Sequence, residues 1–537
     1  MQNVWHTRLN RRRVLGALAG GALGLSGGSA GARADTPSVT PSADSPVTAD
    51  RRRAVVIGSG FGGGIAALRL AQAGVPALVL ERGIRWPTGP GADTFPRLFY
   101  PDRRCAWLSP TPVLTGSPPA VFAPYTGVLE RVPGIGMSIL CGAGVGGSSL
   151  VYHGMTLQPN ENNFTQSMPA SVPYHEMVAE YYPRIAKALA VATIPDDVLD
   201  SPNYLSSRLF LRHTAHNGLP TSRIPLPVDW EYARGELRGE MTPSYTTGDV
   251  IYGVNNGGKS SVDVVYVAPA EATGLVEVAI LHVVRDIAMD AAGRWVVHVD
   301  RIDTHGRVQE RKEITTDALF LGAGSAGTTR LLVKARAKGL IPDLPDGVGT
   351  RWGNNGDRIY AWLNAAENTG AYQGGPACVG SLDWNAPDRA VSIVHGPVPI
   401  PYEAHVMSLI GFGVVRGSGR FTYDPLNDDA VLTWPPHADA GLARAIRSRL
   451  DRLVASAGGV LVDTTAVDPT TYHPLGGAVI DTVCDPYGRV LGHRGLYVTD
   501  GSLVPGSTGA CNPSMTIAAL AERCMDTILR EDAGIAF

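Results

Sequence analysis

Three glycines at positions 58, 60 and 63, in G-x-G-x-x-G spacing, follow the β-branched run Ala54-Val-Val-Ile57 and open into an Ala/Leu-rich helical pattern reaching Leu70. Residues of this type at this spacing bind a dinucleotide. Gly58 permits the tight turn, Gly60 lets backbone amides approach a pyrophosphate, and Gly63 lets the helix pack closely on the strand. The phosphates then sit on the unpaired N–H groups and positive dipole end of that helix, with Phe61 and Gly62 in its first turn. A second apolar run, Val-Pro-Ala-Leu-Val-Leu, ends at Glu81, 23 residues after Gly58. A carboxylate there can accept hydrogen bonds from ribose hydroxyls and would repel a 2′-phosphate. The motif alone does not choose between FAD and NAD.

Two further glycine-rich stretches point to the same kind of ligand. Gly142-Ala-Gly144-Val-Gly146-Gly147-Ser148-Ser149 continues directly into Leu150-Val-Tyr152-His153-Gly154-Met155. So many glycines beside two serines imply backbone brought close to a flat or charged molecule. Ala318-Leu-Phe-Leu then turns at Gly322-Ala323-Gly324 into a helical pattern, which suits the sheet of one nucleotide-binding domain.

The elements that must position these residues are spread along 537 residues, enough for two domains or one large elaborated one. Hydrophobic residues at 44% and charged residues at 18% describe a globular protein with a sizeable core. A net charge of −3 gives no electrostatic case for nucleic acid. Residues 84–135, rich in Pro, Gly and aromatics, read as extended loops over the cofactor. From about Asn160 to Tyr245 the pattern is helical and irregular, suggesting a separate covering domain. Residues 276–300 return to strands. Apolar/polar alternation at several places in 360–465 signals antiparallel strands, a sheet roofing the cofactor. Leu496-Tyr-Val-Thr-Asp500-Gly501 re-enters the first domain, and a long helix from Ser514 to Leu529 closes it. The expected division is 51–160, 245–359 and 466–537 for cofactor binding, with 161–244 and 360–465 as the second domain.

Residues 1–34 read as an export signal. Asn10-Arg11-Arg12-Arg13-Val14-Leu15 is a twin-arginine pattern, followed by a Gly/Ala/Leu stretch and the small-x-small site Ala32-Arg33-Ala34. The twin-arginine route carries folded cargo, which suits a protein that must load a cofactor first. Residues 35–50 read as a linker. The six cysteines lack C-x-x-C spacing and the density of a disulfide scaffold, so free thiols are expected. No His/Cys/Asp cluster has metal-ligand spacing, and no metal is predicted.

Taken together, these blocks resemble the glucose–methanol–choline (GMC) oxidoreductases, and within them most closely the non-covalent FAD-containing bacterial cholesterol oxidases. The resemblance rests on Val55-Val-Ile-Gly-Ser-Gly-Phe-Gly, Met137-Ser with Gly144-Val-Gly-Gly-Ser-Ser-Leu-Val, and Leu319-Phe-Leu-Gly-Ala-Gly-Ser. It continues in Tyr472-His473-Pro474-Leu475-Gly476-Gly477, Leu496-Tyr-Val-Thr-Asp-Gly-Ser-Leu-Val-Pro-Gly, and Asn512-Pro513 leading into Thr516-Ile-Ala-Ala-Leu-Ala-Glu-Arg. It implies an α/β fold, a discontinuous Rossmann-like FAD-binding domain with a second α+β substrate domain roofed by an antiparallel sheet. It also implies FAD rather than NAD, and oxidation of an alcohol.

By the same resemblance His473 is the active-site histidine and Asn512 its partner. An imidazole near its ordinary pKa of about 6.5 can take the hydroxyl proton. A carboxamide can donate to the same oxygen. The FAD site is expected to use Gly58, Gly60, Phe61, Gly62, Gly63 and Glu81, then Gly144, Gly146, Gly147, Ser148, Ser149, Tyr152, His153, Gly154 and Met155. Val284, where the family contacts adenine through its backbone, joins them with Gly322, Ala323, Gly324, Asp500, Gly501, Asn512, Pro513 and Ser514. The substrate pocket is expected at Met155, Ser392, Val394, His395, Tyr472 and Ser514.

The chain also departs from the pattern. Aligning Gly396-Pro397-Val398-Pro399 with the family's Ala-Pro-Met-Pro puts Val394 where cholesterol oxidases carry a glutamate that moves a proton during isomerisation, and valine cannot do so. His395 lies next door but on the other face of a regular strand, unless a bulge brings it in. Ser392 and Ser514 replace aromatic pocket residues, and Tyr152-His153 replaces Asn-Gly. Histidine-linked relatives attach FAD two residues earlier, where this chain has Val151, so non-covalent FAD is expected. The expected protein is a secreted monomer that oxidises an alcohol such as a sterol with O2, touches membranes transiently, and isomerises poorly or not at all. The alternative is a dehydrogenase of the same fold with a different electron acceptor and a non-sterol alcohol.

Overall fold

The computed structural model describes residues 47–385 and 390–537. The export signal and residues 35–46 lie outside the described residues. Residues 47–50, read as linker, instead open the first strand, because a long partner strand extends far enough to pair Val47 with Arg311.

A seven-stranded mixed sheet carries the cofactor motifs. Its parallel part joins β1 (Val47–Ile57) to β2 (Ala77–Leu80) on one side and to β9 (Val308–Leu321) on the other. β6 (Val276–Ala279) extends it beyond β2, and β18 (Leu496–Val498) lies parallel to β9. β7 (His282–Met289) and β8 (Trp295–Ile302) add an antiparallel edge. Ala54, Val55, Val56 and Ile57 are all buried, so this part of β1 shows no alternation: both of its faces are covered. Helix α1 (Phe61–Gln72) covers one face and packs against the helix from Ser514 to Glu531. Arg69 of α1 pairs with Glu522 of that last helix at 2.8 Å.

The second sheet has six antiparallel strands in the order β16, β10, β13, β12, β11, β5. These are Val460–Asp463, Arg358–Leu363, Val406–Gly413, Val391–Gly396, Val379–Asp383 and Ser222–Arg223. Helix α2 (Leu205–His216) and helix α3 (Ala440–Ala457) cover one of its faces. Helix α3 falls in the segment whose alternation predicts strands; its many arginines mask the apolar stripe Ile446, Leu450 and Leu453, spaced i, i+4, i+7, that makes it a helix. Small sheets complete the fold: β3 (Leu129–Val132), β4 (Ser138–Gly142) and β17 (Thr470–Thr471) form one, and β14 (Arg420–Asp424) and β15 (Asp429–Thr433) another. β17 sits parallel to β4, which brings the segment before His473 beside the strand that leads into the second glycine loop.

Candidate active site

The first glycine turn sits at the carboxyl ends of the parallel strands. Gly58 has φ +88° and its amide donates to Leu80 O at 2.9 Å. A Cβ on Gly63 would fall 2.0 Å from Gly58 O, and one on Gly62 would fall 2.2 Å from Thr499 O, so helix α1 is pressed onto the strand ends. Gly60 is different: a Cβ there would meet only Gly147 Cα, at 3.8 Å. Protein packing does not demand glycine at 60, whereas close approach of a ligand would. Helix α1 has no side-chain cap and no acidic residue in its first turn, leaving its amides free for phosphate. Gly322 closes the cradle from β9, its amide donating to Ile57 O at 2.8 Å, with Ala323 and Gly324 leading into the next helix. These features fit the pyrophosphate of a dinucleotide such as FAD.

Glu81 is buried and knots two loops together. Its carboxylate accepts from Ser59 Oγ (2.6 Å), Gly83 N (2.8 Å) and Gly144 N (3.2 Å). A ribose hydroxyl binding there displaces one of these donors. β7 starts beside it, with His282 N donating to Glu81 O at 2.9 Å, and Val284 lies two residues further on. The serines of the second glycine loop turn inward to brace it. Ser149 Oγ donates to Gly146 O (2.7 Å) and accepts from Val262 N (2.9 Å), and Ser148 Oγ accepts from Gly142 N (3.1 Å). Asp500 is likewise an internal tie: it is buried, caps the turn at Ser502 and accepts from Thr328 Oγ1, and burial raises its pKa. Gly501 O accepts from Gly476 N at 2.9 Å, joining the two carboxyl-terminal motifs.

His473 is held by a residue that sequence reasoning missed. Asp357, almost wholly buried, accepts from His473 Nδ1 at 2.7 Å, from the amides of Tyr472 (2.9 Å) and His473 (3.1 Å), and from Thr471 Oγ1 (2.8 Å). A carboxylate only accepts, so Nδ1 carries the proton and Nε2 is left as the base. Phe412 of β13 packs edge-on against the ring, with centroids 5.9 Å apart. Asp357 ends the polar turn Gly353-Asn-Asn-Gly-Asp, which reads from sequence only as a loop. Neighbouring Asn355 donates to Cys511 O at 2.7 Å, so one turn ties the His473 and Asn512 segments together. Tyr472 itself is exposed, with 36% of its surface accessible.

β12 pairs with β11 and β13 without a bulge, so its faces alternate strictly. Ser392 and Val394 share the face of Phe412, which bears on His473. Ser392 Oγ donates to Ala510 O at 2.6 Å and accepts from Trp384 Nε1, bracing the loop before Asn512. His395 turns to the opposite face, against α2, where its Nδ1 lies 3.3 Å from Ser207 Oγ and its ring beside Phe210. It was expected in the substrate pocket; strand alternation removes it. Burial pushes its pKa down to about 3, with a further push from His153.

The remaining expected residues form a short strap tied down at Tyr152 and at Met155. Tyr152 packs edge-on against Phe61 (5.6 Å), and its buried hydroxyl has no partner among the described residues. His153 Nδ1 is also buried and unpartnered, and burial together with the charges of Lys259 and His473 lowers its pKa to about 4. Gly154 follows at φ +82°. Met155 O accepts from Asn512 Nδ2 and from Ser514 Oγ. Lys259, buried and unremarked in the sequence, donates to Leu150 O and Tyr152 O, and burial lowers its pKa to about 7. Pro513 precedes the final helix as its cap residue. All six cysteines are free.

Comparison with known proteins agrees with this geometry. Residues 424–521, which include His473 and Asn512, match the GMC oxidoreductase family model. The chain is 25% identical to a cholesterol oxidase of Mycobacterium tuberculosis over 87% of its own length and 89% of the relative's. It is 24% identical to 2-methyl-1,2-propanediol dehydrogenase of Mycolicibacterium austroafricanum, covering 91% and 97% respectively. Among solved structures a fungal aryl-alcohol oxidase superposes with TM-score 0.62 at 15% identity, over 90% of this chain and 99% of that one. A glycine cradle fit for a dinucleotide and a carboxylate-held histidine thus accompany a carboxyl-terminal segment that matches the GMC oxidoreductases, flavoproteins acting on CH–OH donors, and the chain as a whole is similar to members of that family.

Proposed function

We propose that this protein is a secreted alcohol oxidase of cholesterol-oxidase type. It takes a secondary alcohol, a 3β-hydroxysterol or a compound of similar shape, and uses O2, with release of hydrogen peroxide. Residues 51–160, 245–359 and 466–537 bind FAD non-covalently, and residues 161–244 and 360–465 enclose the alcohol. Bound there, FAD supplies the acceptor for the carbinol hydride. Asp357 fixes the His473 ring so that Nε2 receives the hydroxyl proton, while Phe412 and the neighbouring apolar residues keep water from competing.

The observation that carries this reading is the Asp357–His473 pair at 2.7 Å inside a matched family segment. Its test is anaerobic mixing of the holoenzyme with a panel of sterols and simpler alcohols. The expected result is bleaching of the flavin by at least one of them, followed by fast reoxidation in air with stoichiometric peroxide. Absence of bleaching by every alcohol overturns the reading. Bleaching without reoxidation by air favours the second reading, a dehydrogenase using another acceptor on a non-sterol alcohol, to which the propanediol dehydrogenase relative lends support.

Isomerisation of a 5-en-3-one is weak or absent on this proposal. On the face of β12 and β13 that bears on His473, residues 392, 394, 396, 408, 410 and 412 are Ser, Val, Gly, Ser, Ile and Phe, none of which exchanges a proton near neutral pH. Appearance of the conjugated enone at the rate of peroxide formation counts against it. Export by the twin-arginine route is tested by replacing Arg11 and Arg12 with Lys and following the protein between cells and medium. Acid precipitation that leaves the flavin in the supernatant supports non-covalent attachment.

A further inference from the structure

The Asn512 carboxamide is fully committed within the protein. Its Oδ1 accepts from Leu157 N at 3.1 Å, and its Nδ2 donates to Met155 O and to Ser514 Oγ at 2.8 Å. The orientation is fixed chemically, since the Leu157 amide needs an acceptor and the Met155 carbonyl needs a donor. Both amide protons therefore have acceptors, and none remains for a substrate oxygen. Ser514, which donates to Met155 O at 2.7 Å, is the residue that takes the second proton.

The same bonds anchor one end of a short strap, and Lys259 anchors the other. Lys259 Nζ donates to Tyr152 O at 3.2 Å and to Leu150 O, and it lies 5.2 Å from the Tyr152 ring centroid. Between Tyr152 and Met155 stand only His153 and Gly154. The chain is thus tied down on both sides of a histidine whose ring is partly exposed and whose Nδ1 is buried without a partner. A buried polar atom without a protein partner, on a ring held between two anchors, is a position that a ligand can satisfy. His153 also lies within electrostatic reach of His473, and its own burial keeps it neutral at working pH. A neutral imidazole always offers one N–H donor.

We propose that His153 is the second group gripping the substrate hydroxyl oxygen, opposite His473, and that Asn512, Ser514 and Lys259 are positioning residues that hold it there. The proposal rests on the alcohol-oxidoreductase reading above. The hydroxyl proton passes to His473 Nε2, and the O–H electron pair becomes the second C–O bond as the carbinol carbon gives up its hydride to the flavin. The His153 N–H stays bonded to the oxygen throughout and stabilises the negative charge that develops on it as the proton leaves.

The test uses full-length holoenzyme and the alcohol that bleaches the wild-type flavin fastest. Rates of flavin reduction are compared with carbinol-protiated and carbinol-deuterated substrate for wild type, His153→Phe, His153→Asn and Asn512→Ala, with flavin content, visible spectrum and Tm recorded for each. The expected result is a loss of about 10²-fold in the limiting reduction rate for His153→Phe, with full isotope effect and unchanged flavin content. His153→Asn, which keeps a donor, recovers at least tenfold of that loss. Asn512→Ala lowers Tm as well as rate. A wild-type rate in His153→Phe overturns the proposal. So does loss of flavin or a changed spectrum with the remaining holoenzyme reducing normally, because His153 then serves the cofactor. If the wild-type flavin is bleached by no alcohol, the functional reading falls first and takes this proposal with it.

Discussion

At the scale of single residues, the histidine at the centre of the site depends on its carboxylate. Asp357 accepts four hydrogen bonds, one from the His473 ring and three from the turn that carries it. Asp357→Asn presents a mixed donor–acceptor group that no longer dictates which ring nitrogen carries the proton. We expect kcat to fall by about 10²–10⁴-fold with flavin content preserved, measured by stopped-flow reduction. A second residue-scale effect comes from His395. Its buried ring titrates at about 3 instead of near 6.5, so between those values the unfolded chain binds a proton that the folded chain does not. Stability is unaffected by this group above pH 6.5 and falls as the pH drops towards 3, by about 1.4 kcal/mol per pH unit at most. His395→Leu flattens this slope in urea unfolding at pH 4 against pH 7, without changing which alcohols are oxidised.

At the scale of elements, the turn between β1 and α1 separates packing from binding. Gly63→Ala sets a Cβ 2.0 Å from Gly58 O, so the helix must shift. A loss of about 1–3 kcal/mol or more is expected in unfolding experiments on the flavin-free chain. Gly60→Ala has 3.8 Å of clearance and leaves that stability within about 0.5 kcal/mol. Its effect falls on the ligand: FAD affinity drops about tenfold or more by equilibrium titration, since the added methyl intrudes where a pyrophosphate approaches. Equal effects of both substitutions on the flavin-free chain contradict this division of roles.

At the scale of the whole molecule, the seven-stranded sheet gathers residues 47–57, 77–80, 276–321 and 496–498 around one binding cradle. A ligand that bridges these segments stabilises them as a unit. Removing FAD is expected to lower Tm in a single cooperative step, and adding it back at 100 times its Kd restores about 2.7 kcal/mol. Two separated transitions in the flavin-free chain, with only one responsive to FAD, indicate instead that the antiparallel sheet folds on its own.

What the sequence determined by itself was local: the order strand, turn, helix, strand around Gly58 to Glu81, the glycine loop to Met155, the buried strand before Gly322, and the antiparallel character of 360–465. Each follows from backbone rules that act over a few residues, where periodicity and the absence of a side chain are enough. Tertiary structure alone decided which partners met across the chain. Asp357 reaches His473 over a separation of 116 residues, and Asn512 reaches Met155 over 357. No short-range pattern encodes such pairings, so nothing in the sequence singles out Asp357 or Lys259. Strand register settled the face of His395, and packing turned Ser392, Ser514, Ser148 and Ser149 from prospective ligand contacts into internal braces. A hydroxyl or carboxamide has the same identity in either role; only the nearest acceptor or donor, supplied by a distant segment, decides whether it remains free for a ligand.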